Sequence, residues 1–433
     1  MIETSYKEND MEIMGHESTH QVIDCGNGRF ARCWADASAL EGSAAEQIRR
    51  MATMPQLYRH LAIMPDCHYG KGATVGSVMA LEGAVVPNCV GVDIGCGMAA
   101  INTGLKFEGE MATREFWQGW LARTAEAVPV GFSCHDRDRR GTQGGPEREA
   151  RAVEHFGSED WHRQPRAAQG LETGRRFRSL HEQMIRQAGT LGGGNHFLEA
   201  QRDEDGNVWI MVHSGSRNIG LRLAGHYDRR ARELNAQWKS EAPQSLNWLP
   251  TGSEDNRDYL ADMQWKLCSM PCSAAREMLR AALGALDMEF EEERMLNLPH
   301  NFAAMENHFG RNVLVHRKGA TAARAGQPGI IPGSMGTASY IVEGLGNPDS
   351  FHSCSHGAGR AMSRTQARRE FSAEDMATSL SGTFTQADSG CIDETPQAYK
   401  DIDEVMARQQ DLVKVVHRLS PVITLKSSDN AVD

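Results

Sequence analysis

Aromatic residues are scarce in this sequence, at 6% of 433 positions. A broad base-stacking platform is therefore not expected, since each stacked base needs its own ring face. Cationic surplus is missing too: 46 Lys and Arg stand against 57 Asp and Glu, a formal net charge of −11. That disfavours avid non-specific binding to a polyanion and leaves room only for a local basic groove. No apolar run reaches the roughly 18 residues of a membrane span. The opening Met1-Ile-Glu-Thr-Ser-Tyr-Lys has no apolar leader core, so a cytoplasmic setting is expected. Ten cysteines are scattered without the density of a disulfide scaffold, and the Cys268/Cys272 pair has no second pair to complete a zinc ribbon. Also absent are a Gly-x4-Gly-Lys-Ser/Thr phosphate loop, a Gly-x-Ser-x-Gly elbow and a His-Glu-x-x-His helix, which disfavours the common NTPases, serine hydrolases and zincins.

What the chain has in quantity is glycine, 43 residues, many in short clusters beside His, Asp and Asn. Such clusters mark loops that bring backbone close to a ligand. Residues 61–78 run from an apolar stretch into a loop with Asp66, His68 and Lys71. Residues 84–98 repeat the pattern with Asp93 and Cys96 among glycines. Asn195 and His196 follow three glycines, and the strand expected over 208–212 ends at His213. His300 opens another block, and His356 is followed by Gly-Ala-Gly-Arg360.

Between these blocks the patterning predicts strands over 21–25, 29–34, 312–316, 339–342 and 422–426. Helices are predicted over 44–51, with Ser43 and Glu46 at capping-box spacing, and over 108–128, 177–188 and 401–416. Residues 220–297 read as a helix-rich insertion, with 289–294 a solvated helix face. Residues 133–178 read as polar surface, including the clusters Arg137, Arg139, Arg140 and Arg175, Arg176, Arg178. No internal repeat or splitting linker is visible, so residues 1–433 are expected to form a single domain.

Asp93, Cys96, His196, His213 and His300 offer one carboxylate, one thiolate and three imidazoles, a set that can share two divalent ions. Mixed N, O and S donors suit Zn, Mn or Fe, with softness leaning to Zn. Each histidine alone is more often structural; together, in Gly-flanked loops, they point to a metal site. Lys71, Arg217, Lys318, Arg360 and Arg364 supply positive groups of the kind phosphates need. The residues thus indicate a metal-dependent enzyme acting on a phosphorylated or nucleotide substrate, with His356 as nucleophile or acid/base.

Taken together, the motifs resemble the RtcB-type RNA ligases, which join RNA 3′-phosphate or 2′,3′-cyclic phosphate ends to 5′-hydroxyl ends. The matching blocks are Met64-Pro-Asp-Cys-His-Tyr-Gly-Lys-Gly, Val90-Gly-Val-Asp-Ile-Gly-Cys-Gly-Met, Gly192-Gly-Gly-Asn-His-Phe-Leu-Glu, Val212-His-Ser-Gly-Ser-Arg, His300-Asn-Phe, His316-Arg-Lys-Gly-Ala, Pro332-Gly-Ser-Met-Gly, Ser355-His-Gly-Ala-Gly-Arg and Ala398-Tyr-Lys-Asp-Ile, in family order. The resemblance implies a compact α+β fold with a central metal and nucleotide cleft. It implies two Mn²⁺ held by Asp93, Cys96, His196, His213 and His300, with Cys96 bridging. His356 would take GMP from GTP, and Asp66, Arg217, Lys318 and Arg364 would serve catalysis or phosphates. The guanine nucleotide would meet Asn195, Phe197, Glu199, Ser339, Ala358, Gly359, Tyr399 and Lys426. Implied partners are RNA with broken ends, GTP and an archease-like activator, with no membrane, and the chain is expected to act as a monomer. The alternative is a metal-dependent RNA cyclic-phosphate phosphoesterase without guanylylation. Cys67 departs from the family's usual aliphatic residue, and seven residues follow Lys426.

Overall fold

The computed structural model describes residues 13–16, 19–135, 180–243 and 245–428, for 13–16, 180–181 and 265–272 the backbone alone. The Arg137–Arg140 and Arg175–Arg178 clusters, nearly all of the 133–178 stretch, and the Cys268 and Cys272 thiols lie outside the described residues.

Helix and sheet are mixed, with most strands gathered into two seven-stranded sheets. One sheet runs in the order Ile13–His16, Gln21–Gly26, Arg29–Cys33, Leu57–His68, Val75–Leu81, Arg311–Lys318, Asn301–His308. The other runs Leu296–Pro299, Gly97–Lys106, Asn207–Ser214, Phe197–Arg202, Val413–Leu425, Ser339–Gly344, Pro328–Ile331. Neighbours are antiparallel except Arg29–Cys33 against Leu57–His68. The chain changes sheet across a single residue. Pro299 pairs with Gly97 in the second sheet, Asn301 pairs with Lys318 in the first, and His300 lies between them.

Strand Asn207–Ser214 is buried at nearly every position rather than alternately, because both of its faces are covered. Val208, Ile210 and Val212 pack under helices Arg114–Ala127 and Glu254–Gly284, against Trp117, Trp120, Met278 and Leu279. Trp209 and Met211 face the other way. There the sheet curls so that Ile330, Ile341 and Leu419 meet Met98 and Ala100. Trp117 and Trp120 lie three apart on one helix face and are fully buried. At roughly 150–250 Å² each, such rings contribute about 4–6 kcal/mol apiece before entropy is charged against them. Helix Arg114–Ala127 starts at Thr113, whose hydroxyl accepts from the Phe116 amide, and Glu254–Gly284 starts at Ser253, which accepts from Asn256.

Several local expectations change in the fold. Ser43 and Glu46 do not cap the first helix: it spans Gly42–Ala52 with Glu41 at its N-cap and no side-chain cap bond. Within 289–294 only a short 3-10 turn forms, Glu292–Arg294. The pattern over 401–416 predicts one helix, yet the helix stops at Ala407 and Val413 begins a strand that runs on to Leu425. The β-branched Val413 and Val415 pair with Gly344 and Val342 of strand Ser339–Gly344, a partner far away in sequence. The strand expected over 422–426 is the far end of this one. Helices Arg217–Trp238 and Glu254–Gly284 occupy the 220–297 region and share cores with both sheets. Cys67 is buried in a core cluster and burial pushes its thiol up to about 12, consistent with a small apolar role.

Candidate metal centre and its neighbouring histidine

Register places the donors at one end of the second sheet. Cys96 immediately precedes Gly97, which pairs with Ser214, and His213 lies opposite both Met98 and Phe197. His196 precedes Phe197, so three donors from three strands converge. Cys96 Sγ is 3.3 Å from His213 Nε2 and 3.6 Å from His196 Nε2, and the ligand atoms all lie within 4.8 Å of one another. Asp93, in the turn before Cys96, brings Oδ2 to 3.4 Å from His196 Nε2. His300 is pinned by its own amide, which donates to the Cys96 carbonyl at 2.9 Å. Its ring is 5.2 Å from that of His213 and 4.9 Å from that of His356, between centroids.

These groups are buried and incompletely satisfied. His213 Nδ1 lies 3.1 Å from the Asn195 carbonyl; a carbonyl only accepts, so Nδ1 carries the proton and Nε2 turns its lone pair toward Cys96. Asp93 Oδ1 accepts from the Ser216 amide at 2.7 Å and hydroxyl at 2.6 Å. Burial alone would raise the Asp93 carboxyl, but the hydrogen bonds from His196 and Ser216 outweigh it and hold it below the usual range. Burial pushes Cys96 well up, reinforced by the Asp93 charge, and depresses His213 and His300. His196 Nδ1 and His300 Nδ1 have no hydrogen-bond partner although buried. Each such orphan costs about 1–3 kcal/mol. A cation would relieve the Asp93–Cys96 repulsion and engage neutral imidazoles at once. Space is kept for close approach, since a Cβ on Gly215 would collide with Asp93 Oδ2 and the His196 ring. The donor set fits a divalent ion of borderline softness.

His356 follows strand Ser353–Ser355, which pairs with Ala320–Ala322. Its Nδ1 is 2.6 Å from Asp66 Oδ2, and its amide donates to the same oxygen at 3.1 Å. Burial would raise the Asp66 carboxyl; the charge and hydrogen bond of His356 overcome that and keep it low. With Nδ1–H held by a carboxylate, Nε2 is the nitrogen left to react. Gly359, at φ +72°, turns against Asp66 where any Cβ would strike the Asp66 backbone. Lys400 Nζ donates to the carbonyls of Pro65 and Cys67, clasping Asp66 from both sides.

The other candidates fall into groups. Thr424 donates to Glu199 at 2.6 Å, and Gln201 bridges Glu199 and Ser339, reaching Ser339 Oγ at 3.1 Å. Burial pushes Glu199 up to about 7. Phe197 packs edge-on to His213, Asn195 is exposed, and Ala358 is buried beside Gly359. Tyr399 and Lys426 share the carboxylate of Glu394, and Lys426 also donates to the His196 carbonyl at 3.3 Å. Arg217 donates to the Gly131 carbonyl at 2.7 Å and has its Nε buried without a partner, so it keeps donor capacity near Asp93. Lys318 is turned onto the carbonyls of Lys71, Ala73 and Asn88 at 2.6, 2.8 and 3.3 Å, and burial lowers its ammonium to about 8. Arg364 is paired with Asp393 and Glu394. Ser427 and Ser428, past Lys426, lie against Cys391 and Gly390. A cavity of about 670 Å³ lined by Tyr340, Met406 and Val413 includes none of the candidates.

Residue reasoning assigns no role to Glu394 or Lys400. The available signal was Arg360, Arg364 and Arg368 at a spacing of four, which calls for an acidic partner, with Asp393-Glu394 downstream. The family profile described as "tRNA-splicing ligase RtcB" matches residues 47–427. "RNA-splicing ligase RtcB" of Escherichia coli (strain K12) is 40% identical over 414 residues, covering 91% of this chain and 97% of that protein. "RNA-splicing ligase RtcB" of Mycobacterium tuberculosis is 32% identical over 88% of this chain and all of its own length. "tRNA-splicing ligase RtcB" of Methanococcus maripaludis is 30% identical over 84% of this chain and 87% of its own. With a matching profile over most of its length and relatives at this identity and coverage, the chain belongs to the RtcB family.

Proposed function

We propose that the chain is a GTP- and manganese-dependent RNA ligase that joins 3′-phosphate or 2′,3′-cyclic phosphate ends to 5′-hydroxyl ends, in RNA repair or tRNA splicing. The observation that carries this reading is the Asp66–His356 pair at 2.6 Å, one imidazole away from the Asp93, Cys96, His196, His213 and His300 donors. Two manganese ions on those donors would supply charge neutralisation at the phosphates. Asp66 keeps the proton on His356 Nδ1. Nε2 attacks the α-phosphorus of GTP, forming an N–P bond as pyrophosphate departs. The RNA 3′-phosphate then takes GMP from His356 to give an RNA-3′-ppG end, and the 5′-hydroxyl attacks that end and expels GMP. A cyclic phosphate is first opened by water. Arg217, with an unused Nε, is suited to hold a phosphate, and Lys318 and Arg364 would join it by shifting off their present acceptors. Asn195, Phe197, Glu199, Ser339, Ala358, Gly359, Tyr399 and Lys426 would receive the guanine nucleotide in a central cleft. On this reading residues 1–433 form one ligase domain with a helical insertion at 220–297, working in the cytoplasm as a monomer with an archease-like activator.

Wild-type protein incubated with α-labelled GTP and Mn²⁺ should become covalently labelled, and His356→Ala should not. Label retained on His356→Ala overturns the assignment. RNA with 2′,3′-cyclic phosphate and 5′-hydroxyl ends separates the alternative: phosphate opening with no GTP requirement and no joining would make the protein a phosphoesterase. No helix among the described residues is long and apolar enough to cross a membrane.

A further inference from the structure

Glu394 is the most heavily used carboxylate near the site. Its side chain is 4% exposed. Oε1 takes Arg360 at 3.3 Å and also Arg364; Oε2 takes the Tyr399 hydroxyl at 2.6 Å and Lys426 Nζ at 2.9 Å. The four donors come from three parts of the chain: Arg360 and Arg364 from the stretch after His356, Tyr399 from just beyond Glu394 itself, and Lys426 from the end of the last strand. Arg360 also lies over the Tyr399 ring, 5.3 Å from its centroid.

A carboxylate has about four acceptor positions. All four are taken here, so Glu394 has none left for a ligand. The count at Lys426 is different. An ammonium has three N–H donors; one meets Glu394 and one meets the His196 carbonyl, leaving a third. Buried ammonium and guanidinium groups without a counter-charge would be expelled toward water. The single carboxylate keeps Lys426 and Arg360 in place while leaving them a net positive field.

We propose that Glu394 is the positioning residue of the nucleotide pocket: it presets Lys426 and Tyr399 for the base and holds Arg360 beside the His356 loop, without touching the nucleotide. This rests on the ligase reading above. Losing the charge frees Lys426 to wander, so base selection suffers more than the chemical step.

The test is Glu394→Gln, with Glu394→Asp as a second variant that keeps the charge but retracts it. In self-guanylylation, Glu394→Gln should raise KM for GTP and lower the GTP-over-ATP preference by about tenfold each, with kcat within about threefold. Glu394→Asp should fall between it and wild type. Acylation of Lys426, followed by mass spectrometry on the ligand-free protein, should be several-fold faster in Glu394→Gln. A folded Glu394→Gln with unchanged KM and preference overturns the proposal, as does a lower kcat at unchanged KM. If Glu394→Gln does not fold, Glu394→Asp carries both readouts, and wild-type values in it overturn the proposal. A wild-type protein that forms no GMP adduct sinks the ligase reading instead; the acylation rate then decides separately whether Glu394 holds Lys426.

Discussion

Strand Asn301–His308 joins two buried polar clusters that are built on opposite terms. At one end, His300 joins Cys96, His196 and His213, where ring nitrogens are buried without partners. Toward the other, Glu306 takes Arg317 through both oxygens at 2.6 and 3.1 Å and His308 at 3.0 Å, with Arg324 at 3.0 Å. Arg317, fully buried, spends its remaining donors on Ser353 and the Phe351 carbonyl. The Glu306 cluster has used its valences internally; the His300 cluster holds some in reserve. A saturated buried network is a structural device, whereas an unsaturated one tolerates its own cost because something else fills it.

Mutation should separate the two. The largest effect is expected for Cys96→Ala, which should lower ligation by a factor on the order of 10³. Its stability without metal should stay within about 1 kcal/mol of wild type, because an unfilled site gives the fold little. A large loss in urea unfolding would break the contrast. Glu306→Ala should do the reverse. Leaving Arg317 buried and unpaired costs about 3–5 kcal/mol in unfolding free energy, while ligation per folded molecule stays near wild type. The smallest effect sharpens the boundary. Glu199 titrates at about 7 in the fold, against about 4.3 in an unfolded chain. Between those values the fold keeps a proton that the unfolded chain has lost. Stability should therefore decline as pH rises from about 4.5 to 7 and level off above, by at most about 4 kcal/mol. Denaturant midpoints at pH 5 and 8 should show that decline in wild type and lose it in Glu199→Gln. An equal decline in both would place Glu199 with the saturated groups.

How much of this could be read beforehand depends on the range of the interaction. The Gly-flanked Asp93, Cys96, His196, His213 and His300 announce themselves because donors beside glycines at strand ends have few structural uses. The structure does bring Cys96, His196 and His213 within reach of one ion. Strand Asn207–Ser214 and the helical character of 220–297 are legible from runs and periodicity, since burial and local sequence agree there. The 401–416 region is not, because its outcome is set by a ladder on Ser339–Gly344 that no local window contains. Sheet order is hidden for the same reason: Val75–Leu81 pairs with Arg311–Lys318, more than two hundred residues on. Glu394 looks like one acid among many until four donors are seen around it.

The change of sheet at His300 has a mechanical consequence. Cys96 and His213 belong to one sheet, while the next residue after His300 already belongs to the other. An ion gripped there would act as a rivet through both sheets, and sliding one over the other by a single residue would pull the rivet out. Metal capture at these donors would therefore require that the two sheets already stand in register.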